Sequence, residues 1–104
     1  MYRFKPSSKF RKQYKRLNQK DKEITKKIIN RLLNDEILEP KYKDHKLIGK
    51  YAGFRECHIK PDLLLIYKKE NNASQRDAIG DSGQLPTLIL VCIAIGSHSE
   101  LFKK

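Results

Sequence analysis

The chain carries three histidines, and each sits in a short polar motif. His45 follows Lys43-Asp44 in a lysine-rich stretch. His58 lies two residues after Glu56 and just before Lys60-Pro61-Asp62, and His98 closes Gly96-Ser97-His98. An imidazole with an unperturbed pKa of about 6.5 takes and gives protons at neutral pH. Lysine and arginine hold phosphate charge. These residue types point to proton-transfer chemistry on an anionic substrate. The histidine positions 45, 58 and 98 match no short zinc-ligand motif. Asp77, Asp81 and Ser82 do not follow the calcium-loop spacing. No metal and no cofactor is expected.

Strands and a turn must position these groups. Side chains alternate between the two faces of a strand. Glu56, His58 and Lys60 are therefore expected on one face, with Cys57 and Ile59 on the other, and Pro61-Asp62 turns the chain. Strands are predicted over 51–59, 63–69 and 88–95, with Met1 to Lys5 as a short edge strand. On the last strand, Ile89, Val91, Ile93 and Ile95 are assigned to the core face. Leu90, Cys92 and Ala94 are assigned to the face of Glu56 and His58. Arg55 points by the same phase toward the opposite side. Phe10, Tyr14 and Leu17 mark one helix stripe, capped by Ser7 or Ser8. Ile24, Ile28, Ile29, Leu32 and Leu33 mark a second, capped by Asp21 after a connector at 18–20 and fading near Glu36 before Pro40. The two helices form an antiparallel hairpin over one face of the sheet. Glu70 to Thr87 is too long for a hairpin turn and reads as an inserted flexible loop.

The 104 residues make one domain, 1–104, with a net charge of +11. Residues 1–50 hold 16 Lys and Arg against 6 Asp and Glu, a net of +10, while residues 51–104 net only +1. Such asymmetry indicates a polyanionic partner, either nucleic acid or an acidic protein segment. No apolar run approaches the roughly 20 residues that span a bilayer, and no secretory leader is visible, so a cytoplasmic protein with no membrane contact is expected. Cys57 and Cys92 are expected on different faces as two free buried thiols.

Taken in order, Lys43-Asp44-His45 with Leu47 and Gly49, then Phe54-Arg55-Glu56-Cys57-His58-Ile59-Lys60-Pro61-Asp62, Leu65-Ile66-Tyr67, and Gly96-Ser97-His98 with Leu101-Phe102 resemble the YafQ-like branch of the RelE/ParE toxin superfamily. The resemblance covers nearly the whole chain except 70–87. It implies an α+β, RelE-like fold, with a small twisted antiparallel or mixed sheet of about four strands and the N-terminal helical hairpin on one face. It also implies a toxin of a type II toxin–antitoxin system that cuts mRNA as an endoribonuclease, commonly within the ribosome. The partner it implies is an acidic antitoxin, and DNA is met only indirectly through that complex.

His45, His58, Asp62 and His98 fall on the family's catalytic positions. Glu56 is used in some members, and Phe102 matches an aromatic near the site. RNA supplies its own nucleophile, the 2′-hydroxyl, so no metal is required. His98 is assigned as general acid and either Asp62 or His58 as base. His45 holds substrate within a loop that includes Lys46 and Lys50. The family places an arginine two residues before the glycine of Gly-Ser-His, where this chain has Ala94. Arg55 and Lys60 are the candidates to replace it, and Ala94→Arg is expected to raise the cleavage rate. The alternatives are a toxin that inhibits its target without catalysis, as ParE relatives do, and a module that only binds RNA or antitoxin.

Overall fold

The computed structural model of the protein describes residues 1–71 and 88–102. The loop expected at 70–87 lies outside these residues, apart from Glu70, which belongs to a strand together with Asn71. The elements run β1 (Arg3–Pro6), α1 (Ser8–Lys15), α2 (Gln19–Leu33), β2 (His45–Lys46), β3 (Arg55–Lys60), β4 (Leu63–Asn71), β5 (Leu88–Gly96) and α3 (His98–Leu101). Single 3-10 turns, Pro40–Tyr42 and Gly49–Tyr51, flank β2. The expected α+β layering is present, with one more strand than the sequence suggested. The sheet order is β1-β5-β4-β3-β2, with β1 parallel to β5. The stretch 51–54, expected as strand, is the end of a 3-10 turn and a loop, and β3 begins only at Arg55.

Both helices start on side-chain caps. Ser7 accepts from the Phe10 amide, so Ser7 rather than Ser8 caps α1. Asn18, not Asp21, caps α2 by accepting from the Asp21 amide at 2.8 Å, and this moves the helix start forward into the expected connector. Asp21 is left free to turn its carboxylate toward the sheet. Phe10, Ile28, Ile29 and Leu32 bury their stripes against Cys57, Leu65, Tyr67, Leu90, Cys92 and Ile95. A fully buried leucine or isoleucine contributes about 1.5–3 kcal/mol, so this layer holds the hairpin to the sheet.

Two bulges change the faces that simple alternation assigns. In β5 the pairing steps from Tyr67↔Cys92 to Ile66↔Ala94, so Ile93 is the extra residue. A bulge shifts the side-chain phase by one. Leu90 and Cys92 therefore face the helices, contrary to the expectation. Ile95, beyond the bulge, also faces the helices, while Ile93 packs against the opposite cluster of Leu64, Ile66, Ala94 and Leu101. The backbone groups near the bulge are satisfied by α1 and its cap. Ser7 Oγ donates to the Ile93 carbonyl at 2.7 Å, and the Ile95 amide donates to Gln13 Oε1 at 2.8 Å. Cys57 and Cys92 are both free and buried, but in the same helical layer. Burial pushes the Cys92 thiol up to about 12 and that of Cys57 further still, so both stay protonated and unreactive.

In β3 the pairing steps from His58↔Leu64 to Lys60↔Leu63, a second bulge at Ile59. It turns Lys60 away from the His58 face and down to α2, where its Nζ meets Asp21 Oδ1 at 2.9 Å.

Candidate active site

Cross-strand register builds the site on the sheet face opposite the helical hairpin. Paired residues on neighbouring strands share a face. His45 pairs with Glu56, Glu56 with Ile66, and Ile66 with Ala94. The next row is His58, Leu64 and Gly96. Two residues past Gly96, α3 brings His98 over this row. The imidazoles of His45 and His58 lie with ring centroids 6.4 Å apart, and those of His58 and His98 5.8 Å apart. Three histidines spread over 54 positions of sequence thus form one line.

Two carboxylates serve this line. Glu56 is buried between two rings, with its Oε1 3.3 Å from His45 Nε2 and 3.5 Å from His58 Nε2. The Nδ1 of His45 meets the Lys43 carbonyl oxygen, which can only accept, so that nitrogen carries a proton. Asp62, in the β3–β4 turn, accepts from the backbone amide of His98 at 3.0 Å and lies 3.4 Å from its Nδ1. The His98 amide first, and then its imidazole, hold the Asp62 carboxyl below its ordinary value. Asp62 is therefore ionised at neutral pH, and it leaves His98 Nε2 facing outward for a ligand.

A capping box sets the start of α3. Ser97 Oγ accepts from the Glu100 amide, and Glu100 Oε1 accepts from the Ser97 amide at 2.8 Å. Gly96 makes room for it, since a Cβ there would stand 2.7 Å from Glu100 Oε1. Leu101 is buried on Leu64, Ile66 and Ala94. Phe102 lies 6.1 Å from the His98 ring and meets Tyr51 edge-on at 5.7 Å.

Of the expected residues, His45, Glu56, His58, Asp62, His98 and Phe102 come together. Arg55 and Lys60 do not. Arg55 lies on the helical side, as strand phase indicated, with its Nε 3.1 Å from Asp44, and Lys60 is turned away by the β3 bulge. Lys46 is exposed and pairs in register with Arg55 rather than with Glu56, and Lys50 is exposed in the 3-10 turn after β2. Ala94 shares the face of Glu56, yet it is only 1 % exposed beneath α3 rather than open to the site. Sequence reading missed Tyr51, whose place beside Phe102 depends on the 3-10 turn. It also gave no role to Asp44, although Asp44 directly precedes His45.

A family model described as "Bacterial toxin of type II toxin-antitoxin system, YafQ" matches residues 2–103. A relative from Haemophilus influenzae is 50 % identical over 40 residues, 38 % of this chain and 39 % of that protein. The "mRNA interferase toxin YafQ" of Escherichia coli K12 is 42 % identical over 50 residues, 47 % of this chain and 54 % of that one. Both alignments span less than two thirds of the relative's length. Solved structures align end to end. A metal-bound toxin from Helicobacter pylori superposes with a TM-score of 0.72 at 36 % identity, over 98 % of this chain and 100 % of that chain. The E. coli DinJ–YafQ toxin–antitoxin complex gives 0.70 at 27 % identity, over 97 % of each chain.

Proposed function

The chain belongs to the YafQ family of bacterial type II toxin–antitoxin toxins, and on that premise we propose that it is an endoribonuclease that cuts mRNA on the ribosome by acid–base chemistry. The observation that carries this reading is the set of three neighbouring imidazoles served by two carboxylates, Glu56 between His45 and His58 and Asp62 beside His98. His58 takes the proton of the RNA 2′-hydroxyl, and Glu56 holds its Nε2. The 2′-oxygen attacks phosphorus, and the bond to the 5′-oxygen breaks. His98 gives that oxygen a proton from Nε2, while Asp62 orients the ring through its other nitrogen. The products are a 2′,3′-cyclic phosphate and a 5′-hydroxyl end. Asp62, engaged twice by His98, is the orienting group in this scheme and not the base. Lys50, exposed in the turn after β2, supplies positive charge for phosphate, because Arg55 and Lys60 are committed to Asp44 and Asp21 and Lys46 shares the face of Arg55.

The partner is an acidic antitoxin. An apolar groove of about 840 Å³ between β1, α1 and α2 includes Phe4, Phe10, Tyr14, Ile29 and Leu33, with Arg11, Lys12, Lys15 and Lys26 around it. That combination suits an amphipathic acidic segment. No helix among the described residues is long and apolar enough to cross a membrane, and the site of action proposed is the cytoplasm, where ribosomes are.

The test is cleavage of labelled mRNA with and without ribosomes by the parent and by His98→Ala. The expected result is ribosome-dependent cuts with 5′-hydroxyl ends and a loss of about 10²- to 10⁴-fold in rate for the variant, with binding unchanged. Binding without cleavage by the parent would favour target inhibition or simple RNA binding instead.

A further inference from the structure

On the far side of the sheet from the histidines, two donors meet at one carboxylate oxygen, that of Asp44. Tyr67, 1 % exposed, donates its hydroxyl to Asp44 Oδ1 at 2.7 Å, and Arg55 Nε donates to the same oxygen at 3.1 Å. Burial first, and then the bond to Asp44, push the Tyr67 phenol well above its ordinary value, so it remains a donor at every working pH. The acid–base scheme uses none of these three groups.

The segment they hold is weak by itself. β2 is two residues long, and its ladder consists of His45↔Glu56 and Lys46↔Arg55. Lys43 lies in the left-handed region, at φ 47° and ψ 43°, which a lysine adopts only when its surroundings enforce it. The Lys43 carbonyl receives His45 Nδ1, so the backbone at 43 decides which nitrogen of His45 turns toward Glu56. Asp44 sits between the two residues, and alternation sends its side chain through the sheet to the opposite side.

We propose that Asp44, clamped by Tyr67 and Arg55, is a positioning residue that fixes the backbone at 43–45 and thereby the ring orientation and tautomer of His45. The clamp works like a bolt through the sheet. Pulled from the helical side, it holds the short strand against β3 and keeps the Lys43 carbonyl aimed at Nδ1. Without it the two-residue ladder frays, Lys43 relaxes out of the left-handed region, and His45 loses the bond that keeps Nε2 toward Glu56. Tyr67 adds rigidity, because its ring is part of the core beneath the helices.

The test reads the protonation of each ring nitrogen directly by imidazole ¹⁵N spectra of the purified protein. The variants are Asp44→Ala, Asp44→Asn, Tyr67→Phe and Arg55→Gln. In the parent, His45 should carry its proton on Nδ1. In Asp44→Ala it should shift to a mixture with the Nε2 form, while His58 and His98 keep the parent spectrum. Asp44→Asn retains an acceptor oxygen and should recover most of the parent signal. Tyr67→Phe and Arg55→Gln should each give a partial shift, so the clamp is tested even where one variant folds poorly. This readout does not depend on the nuclease reading. Given that reading, Asp44→Ala should slow single-turnover cleavage by about 10- to 100-fold. In a His45→Ala background it should add less than about twofold, because both changes act through one ring. An unchanged His45 tautomer in folded Asp44→Ala overturns the proposal, as does a full additional rate loss in the His45→Ala background.

Discussion

Gly96→Ala is a small change with a large expected effect. The added methyl carbon would stand 2.7 Å from Glu100 Oε1, 3.4 Å from its Cβ and 3.5 Å from its Cδ. The three nearest atoms all belong to the Glu100 side chain, so that side chain must swing away. That breaks its 2.8 Å bond to the Ser97 amide, half of the capping box. Loss of a helix cap costs about 0.5–2 kcal/mol, and the remaining bond, Ser97 Oγ to the Glu100 amide at 3.2 Å, is the weaker one. For a chain of this size, about 1 kcal/mol lowers Tm by roughly 4–8 °C. The effect on rate should exceed the effect on stability. α3 is a single turn and carries His98, and a displacement of about 1 Å at a reacting group can cost roughly 10²-fold. Thermal unfolding and single-turnover cleavage of Gly96→Ala, Glu100→Ala and the double variant form a cycle. The double variant should be no worse than Glu100→Ala alone, because the clash partner is gone. If Gly96→Ala keeps the parent Tm and rate, or if its effect simply adds to that of Glu100→Ala, the glycine is not there to accommodate the cap.

Ala94→Arg should lower stability by about 1–3 kcal/mol through overpacking and should not raise the cleavage rate, because position 94 is sealed under Leu101. This reverses what strand phase alone suggests, and a faster variant with unchanged Tm would restore that simpler view. Lys60→Ala should change cleavage less than about threefold while costing up to about 1 kcal/mol in chemical denaturation, since its partly exposed amine serves Asp21. The lowered pKa of Asp62 means that its contact with His98 stabilises the fold fully above the ordinary carboxylate value of about 3.9 and that this contribution fades as the pH falls through the folded value below it. The His98 backbone amide shift should report that titration, and Asp62→Asn should abolish it. Binding to ribosomes should weaken with salt by about 0.7–0.9 log units per log unit of salt for each phosphate neutralised. A flat response would remove the case for the basic surface.

The sequence by itself determined which residue types are suited to proton transfer and in which motifs they stand, because histidine and carboxylate types and their short motifs are readable without coordinates. It also determined the helical stripes, the Pro61-Asp62 turn and the edge strand β1, since those rest on local periodicity and turn chemistry. Tertiary structure decided what lies on which face. The bulges at Ile59 and Ile93 each insert one residue, and a one-residue slip sends every later side chain to the other side of the sheet. Lys60 thus left the histidine face, and Leu90 and Cys92 joined the helical core. No periodicity within either strand announces such a bulge, because the partners near the β5 bulge, Ser7 and Gln13, lie more than 80 residues away. The roles of Asp44 and the burial of Ala94 were hidden for the same reason. A side chain's partners across a sheet are set by register between distant segments, and register is a property of the folded chain.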